Sequence, residues 1–428
     1  MASVLALPFD VMTQIFTLAL PPESVLLPST SIPPGPLLFA SICQQWREFA
    51  FATHELWNTV DLELSPNSIK KISRLLNIWI PRAGNLVVSM SLSFKHGALG
   101  SNYRTKIVRP LEKLLARYAL QWISIDLPLP MLALTTLRYP EEGFPSLQKL
   151  ILARAVNDVT NGRVDTFSTS KELRDVCIVG GTIKNLVLPW EQLTTLNLRY
   201  ASVAECVQTL ALVPNLVQFT ANVASSGSPI HAPPLAHLAS LILRGSPPLS
   251  SYLLDFLTLP ALRRLELNFH GSQPVTSLPS LIARSRCSLR RLSVHPGRLW
   301  TKDHYMELFH ALDSLEGLEI RKPSPSLDQG IRLLKAQQPH LLLPHLTSLS
   351  IESFSHGGDV TLLVDVIVSR WNTNAAAALP ARLKSFRFTS TAVRSTAFAR
   401  LRRLKEEGLR VQILRIEADD STDDVEYY

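Results

Sequence analysis

The sequence is poor in the features that would mark it as secreted, membrane-embedded or catalytic. Cysteine is scarce: Cys43, Cys177, Cys206 and Cys287 are the four in 428 residues, and no CxxC pair occurs. That excludes a dense disulfide framework and suits reduced, buried thiols in an intracellular protein. No run of eighteen apolar residues occurs, so no membrane span is expected. The first twenty residues are apolar, but they lack a basic n-region, and Asp10 and Gln14 interrupt them, which argues against a signal peptide. Nothing in the sequence separates nucleus from cytosol.

Catalytic motifs are missing as well. There is no G-x-x-x-x-G-K-[ST] phosphate loop, no G-x-G-x-x-G after a strand and no G-x-S-x-G elbow. His54-Glu55 begins like a zinc-protease helix, but Asn58 stands where the second histidine ligand is needed, so the pair reads as the loop before Leu56-Trp57. Cys287 and His295 flank one repeat, and spacing alone does not make them a thiol–base pair. The expectation is a non-enzymatic chain without cofactor or metal.

Basic side chains are nearly absent from both ends. Residues 1–60 carry one base and four acids, and the segment from Glu417 to Tyr428 carries six acids and no base. That leaves 42 basic against 25 acidic residues in 61–416, an excess of +17 that would attract acidic partners through its long-range field or serve solubility alone.

What is present is a well-cored composition, 46% apolar and 18% charged, which argues against disorder. The length suits two or three domains, or one small domain followed by an extended array. The opening stretch, residues 5–20, reads LALPFDVMTQIFTLAL. Leu7-Pro8 sets a helix start, since proline is tolerated where its missing N–H would be unpaired anyway. Val11, Ile15, Phe16 and Leu20 then recur at helical spacing. After a Pro-rich gap, residues 37–62 repeat the design with Leu38, Ile42, Trp46, Phe49 and Ala50 on one stripe. Helices this short need each other, or a partner chain, to bury their apolar faces.

Leu7-Pro8-x-Asp10, Ile15-Phe16, Ile42-Cys43-x-x-Trp46-Arg47 and Leu56-Trp57 together resemble an F-box, whose signature runs LP-x-E, IF, VC-x-x-W-R and LW. The match covers roughly residues 4–62. Asp10 replaces the usual glutamate, and the gap at 21–36 resembles the insertion common in fungal F-box-like proteins. The resemblance implies a domain that docks on a Skp-type adaptor of a cullin–RING ubiquitin ligase. Leu7, Pro8, Val11, Ile15, Phe16 and Trp46 would supply the adaptor-binding residues; Trp46 is expected, besides, to anchor both the helical core and its junction with the rest of the chain. The plainer alternative is a helical cap, with Phe16 and Trp46 as ordinary core.

Residues 65–84 predict a helix, with Ser65 as cap and Ile69, Ile72, Leu76 and Trp79 on one face. Residues 86–94 alternate as a strand, and a helix is expected at about 104–118, where Pro110 either kinks it or marks its start. Then a pattern L-x-x-L-x-L recurs, from Leu120/Ile123/Ile125 and Leu147/Leu150/Leu152 through to Leu346/Leu349/Ile351 and Leu383/Phe386/Phe388. Its middle anchors step by 27, 26, 20, 23, 22, 24, 27, 26, 31 and 37 residues, mostly in or near the range of leucine-rich repeats. Helix-like pieces such as 249–259, 302–312 and 359–371 lie between. Stacked strand–helix units cover one another's core, and eleven short units favour an open array over a closed α/β barrel.

The region is similar to the leucine-rich repeats of F-box proteins, though the asparagine or cysteine usual after the last strand leucine is absent. Ala155, Gly181, Ala201, Ser246 and Pro323 stand at such positions, so irregular turns are expected. The fold expected is therefore α/β: a helical F-box at 1–62, an irregular leucine-rich-repeat solenoid with a parallel inner sheet at 63–416, and a disordered acidic tail at 417–428.

Side chains alternating with the leucines should face the concavity. They include Lys149, Arg199, Arg244, Arg264, Arg291, His295, Arg321 and Arg387, with Asp126, Asp175, Glu266, Glu319 and Glu352 among the acids. Arginine grips carboxylates and phosphates with two prongs. Arg244, Arg264 and Arg291, with His295 and Arg321 nearby, thus form a candidate site for an acidic or phosphorylated target segment, unless the charges merely keep the sheet solvated. The function expected is a substrate receptor of a Skp–cullin–F-box ubiquitin ligase. The rivals are a non-ligase F-box scaffold and a basic solenoid binding nucleic acid or anionic surfaces. Scarce aromatic–basic interleaving argues against nucleic acid.

Overall fold

A computed structural model of the chain describes residues 7–20, 26–27, 35–65, 68–94, 108–129, 131–135, 143–153, 162–180, 183–228, 231–269, 275–296, 299–321, 327–336, 341–354, 360–373, 380–390 and 397–415. The acidic tail and most of the insertion at 21–36 lie outside the described residues. Two compact units divide the chain, Met1–Arg199 and Tyr200–Tyr428.

The first unit opens with helices α1 (Phe9–Ala19), α2 (Gly35–Ile42) and α3 (Gln44–Ala52). Pro8 precedes α1, and its carbonyl accepts the Met12 amide at 3.1 Å. The single stripe expected from Leu38 to Ala50 is broken at Cys43, whose backbone is extended (φ −155°, ψ 172°) and whose Sγ accepts the Trp46 amide at 3.5 Å. Arg47 then ties the two helices, its Nε donating to the Ala40 carbonyl at 2.9 Å. Inside, Phe16 stacks on Phe39 with ring centroids 4.5 Å apart and tilts against Trp46 at 5.0 Å.

The junction between these helices and the sheet belongs to Trp57, not to Trp46 as the resemblance implied. Trp57 ends a 3-10 turn (His54–Trp57) and is fully buried. Its indole N–H donates to the Ala50 carbonyl at 2.8 Å, and its own carbonyl accepts the indole N–H of Trp79 at 2.9 Å. Trp46 stays half-buried within the helical cluster. The chain runs straight from Trp57 into strand β2 (Thr59–Leu64), so a domain boundary at residue 62 would fall inside a strand. Leu26–Leu27, from the Pro-rich insertion, forms β1 and pairs in parallel with β2.

Strands β3 (Val88–Phe94), β4 (Trp122–Leu127), β5 (Lys149–Ala153), β6 (Asp175–Val179) and β7 (Thr195–Ser202) follow in chain order, every pair parallel. Helix α4 (Ile69–Arg82) buries Ile69, Ile72, Leu76 and Trp79 as expected but starts later, after Ser65 and Ser68 exchange amide-to-hydroxyl bonds of 2.8 and 3.1 Å. Helix α5 (Arg109–Arg117) carries Pro110 in its first turn, so the proline marks the start rather than a kink. A four-residue helix, α6 (Met131–Leu134), follows β4. The 20-residue step between β6 and β7 leaves room only for 3-10 turns at Ile183–Asn185 and Trp190–Gln192.

The first repeat needs a correction of register. In β4 the buried residues are Trp122, Ile125 and Leu127, with Ile125 opposite Leu150, whereas Leu120 is 61% exposed. A slip of two residues keeps the same parity, which is why the strand pattern alone does not reveal it. From Leu147 to Phe388, the apolar residues of each repeat named above are buried.

The second unit continues the strand–helix alternation. Its strands are β8 (Gln218–Ser225), β9 (Ser240–Gly245), β10 (Arg264–Phe269), β11 (Arg291–Val294), β12 (Gly317–Arg321), β13 (Ser348–Phe354), β14 (Ser385–Ser390) and β15 (Arg410–Arg415), again parallel and in chain order. Among the described residues β15 pairs with β14 alone, so the sheet of the second unit ends there and does not close into a barrel. Helices α7 (Val203–Leu210), α8 (Pro247–Asp255), α9 (Ser277–Ser285), α10 (Lys302–His310), α11 (Leu327–Leu333), α12 (Val360–Trp371) and α13 (Ala397–Glu406) pack successively on one another. Capping boxes start α7 (Ser202 with Glu205) and α10 (Thr301 with His304). Of the positions expected to form irregular turns, Ala155, Gly181 and Pro323 lie outside the described residues and Ala201 belongs to β7. Gly245 leaves β9 at φ +113°, and a Cβ there would stand 2.7 Å from the Val223 carbonyl oxygen. Among the described residues, no helix is long and apolar enough to cross a membrane.

Arg370 on α12 donates to three turn carbonyls, one of which, Leu343, also accepts the Leu346 amide at 3.2 Å. It is fully buried and donates to the carbonyls of Leu334 (2.5 Å), Leu342 (2.6 Å) and Leu343 (2.9 Å). Burial pushes its guanidinium down to about 10. Arg370→Met would leave the Leu334 and Leu342 carbonyls without this donor and should lower stability by about 3–5 kcal/mol in urea unfolding; an unchanged midpoint would contradict the capping role. Trp57→Ala should likewise cost about 3–5 kcal/mol, and more than Trp46→Ala, when the two variants are unfolded side by side.

Candidate functional site

Helix α1 is apolar on two sides. Met12 and Phe16, four residues apart, are sealed inside at 0% and 1% exposure. Val11, Ile15 and Leu18 line an adjoining side, about a third of a turn round the helix, at 39%, 39% and 85% exposure. Pro8 extends that outer stripe by one turn, Leu7 is half-buried, and Leu38 and Ile42 of α2 are also exposed. A surface helix normally gives its solvent side to polar residues. Burying a fully exposed side chain of this kind is worth about 1.5–3 kcal/mol, and a proportionate share where exposure is 39%, so covering this stripe by a second protein would be favourable. Of the residues expected to meet an adaptor, Pro8, Val11 and Ile15 are available. Phe16 is not: its ring is enclosed by Phe39 and Trp46 and serves as core.

The face of the sheet away from the leucines carries the charged residues. In the first unit, Asp126 is half-buried on β4. Burial, reinforced by Asp61, raises its carboxyl to about 6 despite opposition from Lys149 and Arg199. Lys149 pairs instead with Asp175 at 3.6 Å.

In the second unit, the arginines expected to act together do not all meet. Arg264 and Arg291 are direct neighbours in the β10–β11 register. Arg244 is paired with Asn268, four residues further along the strand direction, about 13 Å away. His295 lies just beyond β11. Arg321 is occupied: it bonds Glu266 at 3.0 Å and Glu319 at 3.1 Å and approaches Glu352 at 3.6 Å. Glu266, expected to be exposed, is only 6% so. Burial alone would raise its carboxyl. The Asn268 amide (2.7 Å), Arg321 and Arg264 (3.4 Å) outweigh that and hold it below its ordinary value. These charges therefore brace the sheet, and Arg264 and Arg291 alone of the expected group stand together at a surface.

No protein-family model matches the chain, and no curated protein is recognisably similar to it.

The strained carboxyl of the first unit gives a pH-dependent expectation. Between about pH 4 and 6 the folded chain holds a proton on Asp126 that the unfolded chain has lost, so stability falls as pH rises through that window. Asp126→Asn should therefore stabilise the protein at pH 7.5 by roughly 1 kcal/mol, after discounting for partial exposure. The gain should vanish near pH 4. Thermal melts at both pH values check this, and a gain that persisted at pH 4 would assign the effect to packing instead.

Proposed function

We propose that the protein is the substrate-receptor subunit of a Skp–cullin–F-box ubiquitin ligase, holding the adaptor through its opening helices and a target protein on its repeats. The observation that carries this reading is the outer stripe of α1, where Val11, Ile15 and Leu18 lie exposed beside a side already filled by Met12 and Phe16. Ile15 of this stripe, with Pro8 one turn ahead of Val11, is among the residues that give the sequence its F-box resemblance, and the buried Trp57 fixes those helices rigidly to the first repeat. In this arrangement the helices act as the handle and the sheet as the presenting surface. The chain itself supplies no chemistry, and transfer of ubiquitin belongs to the assembled ligase.

Co-purification with a Skp-type adaptor tests the proposal. The full chain should retain the adaptor and, through it, a cullin. Val11→Asp combined with Ile15→Asp should lose both while leaving the thermal midpoint unchanged, because neither residue belongs to the core. Adaptor retained by that variant, or absent from the parent chain, would refute the docking role. Adaptor recovered without cullin would place the protein in a scaffold outside a ligase.

A further inference from the structure

Beyond Arg264 and Arg291, the second unit has a trough of about 900 Å³ crossing β10 to β15. Arg264 and Arg291 stand at one end, and Arg387, Lys405 and Arg410 at the other. The strand registers explain the layout. One row across the sheet reads Arg264, Arg291, Gly317, Ser348, Ser385, Arg410, and the next reads Glu266, Ser293, Glu319, Ser350, Arg387, Gln412. Small side chains thus make the floor between two cationic ends.

The acids within the trough are already paired. Glu316 meets Arg290 at 3.5 Å, and Glu319 is bound by Arg321. Arg291, Lys405 and Arg410 form no ion pair among the described residues. Arg387 donates its Nε–H to the neutral Gln412 at 3.0 Å. The floor offers hydroxyls. Ser385 donates to Ser348 at 2.9 Å.

We propose that this trough binds an extended peptide carrying two phosphorylated or otherwise anionic side chains about four to six residues apart. Arg291 and the Arg387/Arg410 end are separated by three to four strand spacings, about 14–19 Å, and an extended chain covers that distance in four to six residues. A compact anion would reach one end only. Phosphate suits the fork geometry of arginine, and the small floor lets a backbone lie close to the sheet. That the peptide comes from a ubiquitination target rests on the function proposed above; the binding itself does not.

Fluorescence anisotropy on the full chain, without adaptor, tests it. The probe is a labelled twelve-residue Gly/Ser peptide with phosphoserines five positions apart. It should bind, and removing either phosphate should weaken binding at least tenfold. Arg291→Glu and Arg387→Glu should each do the same. Arg244→Glu should change affinity less than twofold, and the Val11→Asp/Ile15→Asp variant should bind normally, so failure of the adaptor reading would leave this result standing. Equal affinity for the singly phosphorylated peptide would overturn the two-ended site. So would displacement of the probe by inorganic phosphate at the probe's own concentration, or equally tight, Arg387-independent binding of a ten-nucleotide oligothymidine.

Discussion

The arrangement of the first unit turns on Trp57. Its indole N–H is donated back to α3 and its carbonyl receives the indole of Trp79 from α4, so one residue bonds to the helices before it and to the repeat after it. Its ring meets that of Trp79 at 4.9 Å and has no solvent contact. Three short helices could not hold a fixed orientation through their own cluster of Phe16, Phe39 and Trp46 alone. Bonded to a sheet that starts two residues later, they can. The outer side of α1 is then free to remain apolar, since the inner side and the junction already supply the packing that the unit needs.

Within the array, the same division of roles recurs strand by strand. Leucines on alternate positions meet the helices, and the positions between them carry charge without disturbing the core. What those charges do depends on how they are paired. Glu266, Arg264, Arg321 and Glu319 form a partly buried network that holds neighbouring strands together. Asp126 has the reverse environment, buried near another acid, and its carboxyl climbs toward neutrality. Arg370 meets no acid among the described residues and directs its charge at backbone carbonyls.

Most of the repeat layout is legible in the sequence because leucine spacing reports directly which residues a parallel strand buries. The departures have physical causes. Leu120 passes for an anchor because a two-residue slip preserves which face each residue takes. The stripe from Leu38 to Ala50 looks continuous because periodicity does not register the extended backbone at Cys43. Phe16 is expected at a surface and lies in a core, since a helix apolar on both sides gives no sign of which side faces inward. Of the arginine group, the Arg264–Arg291 pairing follows from the repeat. The far end of the trough does not, because Lys405 and Arg410 come from the last helix and strand, outside the leucine triples. The serines at 293 and 350 are visible between their leucine anchors, but small residues there signal nothing until register lines them up.

Because inward and outward positions alternate along each strand, the trough's rim and the leucine layer are chemically independent. Exchanging Arg387 for glutamine, or Ser350 for lysine, would alter what the floor accepts while leaving Phe386, Phe388, Leu349 and Ile351 in place. Ligand preference in such a sheet can drift by single substitutions without any intermediate that fails to fold.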